Sequence, residues 1–406
     1  MKILLYGINF APELTGIGKY TGEMAAWLAA AGHEVRVVSA PPYYPEWKVW
    51  PGYSASRWRR ETWHGVTVFR TPVWVPEKIS GLKRVLHLAS FALASLPSLL
   101  AQWRWRPDIV WLTEPPLVCA PAALLFARCR GARAWLHIQD YEVDAAFDLG
   151  LLKGARLRSW VSAVERWLMT RFDRVSSISS RMQERALDKG VSAQRLIAFP
   201  NWADLSAIRP LEFPSPYRAE LGIANDAVVA LYAGNMGAKQ GLEILAEVAR
   251  ALQGDSTIQF VFCGFGPGRA VLEALCAGLP NVRFLDLQPL ERLGDLLGLA
   301  DLHLLPQRAD AEDLVMPSKL TGMLASGRPV VATARADTEI GRVVSGCGVI
   351  VPPGSPEALT AAIADLAAHP ARRSEMGLAA RRHAEQYIAR DEVLRQFESD
   401  LRACLG

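Results

Sequence analysis

Short apolar runs separated by helix-length amphipathic stretches recur along the chain. The first run, Ile3 to Ile8, is followed by a helix-length segment from Gly18 to Ala31 and a second run from Glu34 to Val38. Gly32 stands where a helix ends in a left-handed residue. Further runs occupy Asp108 to Leu112, Ala134 to Ile138, Arg174 to Ile178 and Leu196 to Phe199. A second series follows at Val228 to Ala233, Gln259 to Cys263, Val282 to Leu285, Leu302 to Leu305, Pro329 to Ala332 and Gly348 to Val351. Strands alternating with helices predict parallel βα units and an α/β fold. Between the series, Leu205 to Pro216 carries Pro210, Pro214 and Pro216 and reads as a linker. The pattern predicts two doubly wound Rossmann-like domains, 1–205 and 206–388, with a central cleft where they face one another. The remaining 389–406 is amphipathic over Asp391 to Leu405 and is expected to pack back on the first domain.

At 406 residues and 50% hydrophobic content, the chain exceeds the size at which one core keeps growing, which agrees with two domains. Charge divides the halves. Residues 1–200 carry 26 Lys and Arg against 16 Asp and Glu, and residues 201–406 carry 19 against 25, so a net +4 conceals +10 and −6. All thirteen tryptophans lie at or before Trp202. Indole favours a lipid interface and basic groups favour anionic headgroups, so the first half predicts a lipid or phosphorylated-lipid partner. Trp111 and Trp135 sit in apolar runs and read as core. The stretch from Val85 to Trp103 is interrupted by His87, Ser90, Ser95, Pro97, Ser98 and Gln102 and flanked by Lys83, Arg84, Arg104 and Arg106. It therefore predicts a pair of interfacial helices broken at Pro97, or a helix covering the sheet, rather than a membrane span. The opening MKILLYGINF reads as a buried strand and not as a signal peptide. Six cysteines form no CxxC pair and no His-Cys cluster, so free thiols in the cytoplasm are expected and no metal ligand set is apparent.

Three segments carry phosphate chemistry. After the first run, Gly16 and Gly18 admit backbone amides close to an anion at a helix start. The third glycine is displaced to Gly22, which argues against a dinucleotide fingerprint and a nicotinamide cofactor. The segment LYAGNMGAKQGLEILAEVA places Gly234, Gly237 and Lys239 in a turn between strand and helix, where the ammonium can stand beside a diphosphate. In DLVMPSKLTGMLASGRPVVATA, Pro317 marks a first helical position with Ser318 and Lys319 in the first turn, a second anion site.

These segments, together with HIQDYEVDA, FPNWAD, CGFGPGR, ADLHLLPQ and CGVIVPPGSPEAL, resemble the GT-B glycosyltransferases of the large retaining family 4, and within it the colanic-acid and related exopolysaccharide transferases. The likeness covers nearly the whole chain. It implies donor diphosphate binding by the C-terminal domain, acceptor binding by the N-terminal domain, and retention of anomeric configuration without a metal or other cofactor. No DxD triplet stands in a donor-site loop. Gly16 and Gly18 match the family loop near the donor phosphates. Three departures bear on the site. The GRxxxxKG pattern has Asn235 and Gln240 at its Arg and Lys positions, with Lys239 one place early as the substitute. The E-x7-E positions fall on Leu314 and Gly322, which leaves Glu312 and Asp313 as the nearby carboxylates for sugar hydroxyls. The family His-Asp pair becomes Gln139-Asp140, with His137 two residues earlier. Strand alternation puts His137 and Gln139 on one face and Asp140 on the other unless the strand ends first. Asp140, His137 and Lys239 are the catalytic candidates, and a satisfied core histidine is the competing reading of His137. Gly16, Gly18, Gly234, Asn235, Gln240, Ser318, Lys319 and Glu312 are the donor-binding candidates.

The resemblance implies transfer of a sugar from a nucleotide-sugar donor, a GDP-sugar such as GDP-fucose or GDP-mannose, to a glycan on polyprenyl diphosphate. The protein is then expected in the cytoplasm, peripheral at the inner face of the cytoplasmic membrane and attached through the N-terminal domain. The alternatives are a catalytically inactive sugar-nucleotide-binding subunit, which the missing carboxylates favour, and a GT-B sugar-nucleotide epimerase, which needs no lipid acceptor. No recognised motif points to nucleic acid.

Overall fold

In the computed structural model, which describes residues 1–77, 80–148, 154–237, 240–308 and 317–406, the apolar runs form two sheets flanked by helices. The first sheet contains β1 (Lys2–Tyr6), β2 (Glu34–Ser39), β3 (Arg59–Trp63), β4 (Val66–Arg70), β5 (Ile109–Glu114), β6 (Arg133–Ile138), β7 (Arg174–Ser177) and β8 (Leu196–Ala198), in the order β3-β4-β2-β1-β5-β6-β7-β8. All neighbours pair in parallel except β3 with β4. Leu5 in β1 stands opposite Val37 on one side and Trp111 on the other, and every residue of β5 is buried. The β3–β4 hairpin is absent from the sequence expectation. Its edge strand, RRETW, has no apolar run to announce it, and the charged side chains at its start are exposed, as suits a sheet edge.

The second sheet contains β9 (Val228–Ala233), β10 (Ile258–Cys263), β11 (Val282–Leu285), β12 (Leu302–Leu305), β13 (Val330–Thr333) and β14 (Gly348–Val351), in the order β11-β10-β9-β12-β13-β14. It is parallel throughout. Its core joins Tyr232, Phe260, Phe262 and Leu304 to the helices packed on the sheet.

The chain divides into two units, Met1–Pro200 with Leu394–Gly406, and Asn201–Val393. Helix Arg390–Leu405 therefore ends in the first unit, where the Phe397 ring stacks on Phe199 with centroids 4.2 Å apart and meets Trp111 edge-on at 4.9 Å. One expectation fails here, and one pair of alternatives is decided. Leu205 to Pro216 is no free linker, because Ile208 belongs to a core cluster of the second unit and Leu211 packs tightly against Gly298. Of the two readings of the stretch around Pro97, the structure has the single helix, Gly81–Leu100. Pro97 sits in its last turn and removes one backbone hydrogen bond there without ending the helix. Phe91, Leu88, His87 and Ser95 face inward from this helix, and Tyr6 Oη and Ser95 Oγ lie 2.6 Å apart. Among the described residues no helix is long and apolar enough to cross a membrane.

Candidate functional site

In the first unit the loop after β1 leads into helix Gly16–Ala30. Gly16 adopts φ +60° at the helix start, a conformation that favours glycine. Gly18 has its space taken up by a neighbour in the chain. A Cβ there would lie 2.5 Å from Glu13 Oε2 and 2.6 Å from Glu13 Cβ, so its bareness makes room for a carboxylate of the chain itself. Glu13 is buried, and it accepts hydrogen bonds from Tyr43 N and Tyr44 N at 3.0 Å each and from Asn9 Nδ2 at 3.0 Å. Burial raises its pKa, and these donors oppose the rise. Glu13 thus ties the glycine loop to the 43–44 loop, a duty that no local pattern announces.

His137 and Gln139 lie on the same side of the chain as β6 ends. His137 is buried, stacked 4.9 Å from the Trp111 ring, with Nδ1 2.9 Å from Ser176 Oγ and Nε2 2.9 Å from Gln139 Nε2. A neutral ring donating from Nδ1 to Ser176 and accepting at Nε2 from the Gln139 amide satisfies both nitrogens. Burial pushes its pKa down to about 3, so the ring is neutral at physiological pH. These are the surroundings of a core histidine. Asp140 follows at intermediate exposure. The other carboxylates of the segment hold structure: Glu142 Oε2 accepts from Leu117 N at 3.0 Å, and Asp144 pairs with Arg185 at 3.0 Å and Lys189 at 3.1 Å.

In the second unit two glycine loops interlock at the carboxyl ends of β9 and β10. Met236 N donates to Phe265 O at 2.7 Å and Gly268 N donates to Met236 O at 2.8 Å. A Cβ on Gly264 would fall 1.9 Å from Gly234 O, and one on Gly266 would fall 2.6 Å from Met236 O, so CGFGPG fits only without side chains. Arg269 clasps this second loop by donating to Gly264 O at 2.7 Å. Gly234 adopts φ +142°, and the Asn235 carbonyl accepts from the Tyr232 hydroxyl at 2.6 Å. Gln240 Oε1 is buried and has no hydrogen-bond partner.

Helix Ser318–Ala325 brings Lys319 onto the same loop. The Lys319 stem passes 3.5 Å from the Cβ position of Gly234, and its ammonium lies 3.3 Å from Tyr232 Oη and 4.7 Å from the centre of that ring. Ser318 is exposed at the helix start, and no side chain caps that terminus. The helix begins at Ser318 with Pro317 in the capping position, one residue later than the sequence places it. The structure thus joins Gly234, Asn235, Gln240, Ser318 and Lys319 in one neighbourhood. Lys239 and Glu312, like Asp313 and Leu314, lie outside the described residues. Sequence reasoning missed Tyr232, whose position as the last aromatic of an apolar strand reads as core, and Arg308, which reaches the loop from the end of β12. Among the described residues no group of three or more His, Cys, Asp or Glu is disposed to hold a metal ion.

Two families match the chain: residues 15–202 match a glycosyl transferase 4-like domain, and residues 227–369 match the glycosyl transferases of group 1. The chain is 46% identical to the putative colanic acid biosynthesis glycosyl transferase WcaI of Escherichia coli (strain K12), over 99% of this chain and 100% of that protein. The fold is shared with sucrose-phosphate synthase from Thermosynechococcus elongatus, with TM-score 0.75 at 18% identity over 99% of this chain and 98% of the other. It is shared also with Anabaena HepE in complex with UDP and glucose, with TM-score 0.69 at 15% identity over 99% and 100%.

Proposed function

Because the chain belongs to the glycosyltransferases of these two domain families and has their GT-B fold, we propose that it moves a sugar, with retention and without a metal, from a nucleoside diphosphate donor to a lipid-linked glycan in exopolysaccharide assembly. The carrying observation is the interlocked pair of glycine loops with Lys319 laid across Gly234 beside an uncapped helix N-terminus. The unpaired amides of a helix start, its dipole and an ammonium are what a departing diphosphate needs when its charge develops. In the proposed reaction the bond from the anomeric carbon to the diphosphate oxygen breaks, and the acceptor oxygen bonds to that carbon on the same face. The acceptor proton passes to the departing diphosphate. Lys319, Ser318, Lys239 and the loop amides carry the negative charge. Asn235, Gln240, Glu312 and Asp313 are assigned to donor contacts, and Gly16 and Gly18 to the first unit's loop. Asp140 is assigned to the acceptor side. His137, neutral and bonded to Gln139, is assigned the positioning of the turn that carries Asp140.

The likeness to colanic acid transferases favours a GDP-sugar, GDP-fucose or GDP-mannose, and the UDP complex of HepE makes UDP the comparison ligand. The test is calorimetric titration of the whole protein with GDP and with UDP in the presence of chelator. Saturable binding of GDP alone supports the proposed donor; binding of UDP alone reassigns the base. Binding of neither overturns the nucleotide-sugar reading.

A lipid-linked acceptor is supported by the surface of the first unit. Right-handed crossovers put the helices joining β4 to β5, β5 to β6 and β6 to β7 on one face of the sheet. That face exposes Leu93 (70%), Trp160 (67%) and Trp167 (55%), together with Leu82, Leu86, Leu125 and Leu157. Lys83, Arg104, Arg128, Arg156, Arg158 and Arg166 accompany them, while Asp144 and Glu165 of the helices between β6 and β7 are buried. Indoles between cations are suited to an anionic headgroup layer, so we assign this face to peripheral contact with the inner face of the cytoplasmic membrane.

A further inference from the structure

Asn235 and Gln240 of the 234–241 loop are neutral, and Lys239 is the one basic residue in its sequence. The fold brings cations to both of its ends from elsewhere. At Gly234 the cation is Lys319, from the start of helix Ser318–Ala325. At Gly241 it is Arg308. Gly241 adopts φ +58°, and a Cβ there would lie 2.8 Å from Arg308 Cγ and 3.7 Å from Arg308 N, so the arginine stem lies against backbone that tolerates no side chain.

The place of Arg308 is held from behind. β12 ends at Leu305, and the backbone of Gln307 is gripped on both sides by one hydroxyl at the end of β13: Gln307 N donates to Thr333 Oγ1 at 2.7 Å, and Thr333 Oγ1 donates to Gln307 O at 2.8 Å. With that peptide clamped, Arg308 leaves the sheet beside the neighbouring strand β9, whose loop it meets. Its side chain is exposed. In a doubly wound sheet, ligands bind beyond the carboxyl ends of the strands, which is where β9, β12 and both cations converge.

We propose that Arg308 is a phosphate-binding residue of the donor site, holding one phosphate of the nucleoside diphosphate from the Gly241 end of the loop while Lys319 holds the other end. The chemistry favours arginine, because a planar guanidinium donates two parallel hydrogen bonds to phosphate oxygens and remains charged at every relevant pH. The inference deepens the donor-site reading above and depends on it.

The experiment uses the full chain in four forms: unaltered, Arg308→Ala, Arg308→Lys and, as a control for losing a surface arginine, Arg372→Ala, whose guanidinium pairs with Asp365 on an exposed helix. Each is titrated with the nucleoside diphosphate that the unaltered chain binds and with the corresponding nucleoside, with thermal unfolding recorded in parallel. Loss of a charge-assisted pair predicts that Arg308→Ala weakens diphosphate binding by about ten- to a hundred-fold, with nucleoside binding and the unfolding midpoint unchanged. Arg308→Lys should fall between, and Arg372→Ala should match the unaltered chain. Unaltered diphosphate affinity in Arg308→Ala, or an equal loss for nucleoside and diphosphate, overturns the proposal and leaves the donor site standing. Failure of the unaltered chain to bind either GDP or UDP removes the donor site and this proposal with it.

Discussion

Glu114, the last residue of β5, is wholly buried, and its carboxylate has no side-chain hydrogen-bond partner. Burial drives its pKa well above 4.5; the charges of Glu165 and Glu142 add to the rise, and Lys189 opposes it. The folded chain therefore keeps a proton that the unfolded chain releases. The stability this one proton contributes is fully present below about 4.5 and is lost progressively as pH rises towards the raised folded value. Glu114→Gln, which mimics the neutral acid, should flatten the decline of unfolding free energy as pH rises above about 4.5, measured by denaturant titration. Parallel slopes in the two proteins would show that Glu114 carries no such proton. Gly18 teaches a related lesson. The glycine was legible as a position needing space, but the occupant of that space, Glu13, was not. Two residues five apart at a loop-to-helix junction have no fixed relation until the loop has folded.

Helix Ala155–Met169 displays Leu157, Trp160, Val164 and Trp167 on one exposed stripe, while Glu165, Leu168 and Met169 face inward. An amphipathic helix ordinarily buries its apolar stripe; here a second stripe is left outside, beside Arg156 and Arg158. If that stripe meets lipid, replacing Arg156 and Arg158 with Ala should weaken co-sedimentation with vesicles rich in anionic phospholipid by roughly 1 kcal/mol per charge, with less effect on zwitterionic vesicles. Equal binding by variant and unaltered protein would detach this helix from the membrane reading. The tryptophan and charge bias of the first half was plain in the sequence. Which indoles face solvent was not, since Trp111 and Trp135 are core and Trp160 and Trp167 are exposed.

Over the whole chain, the first unit is closed by residues that arrive last. Phe397 is buried against Phe199, Trp111 and Trp135, about two hundred positions or more from each in sequence. Phe397→Ala removes one ring from this aromatic cluster and should destabilise the protein by about 3–5 kcal/mol, read as a lowered denaturant midpoint. An unchanged midpoint would mean that the terminal helix is dispensable to the first unit.

The sequence by itself determined the two series of βα units, the strands that carry an apolar run and the glycine loops, and it placed two helix starts at Gly18 and Pro317, within two residues of Gly16 and Ser318. Each follows from local periodicity or from the backbone freedom of a few adjacent residues. Tertiary structure alone decided that Leu205 to Pro216 packs as part of the second unit, that His137 is enclosed between Trp111, Ser176 and Gln139, and that Arg308 meets Gly241. Those contacts join residues two to nearly two hundred positions apart through the order of strands in a sheet, and strand order leaves no periodic trace in the chain.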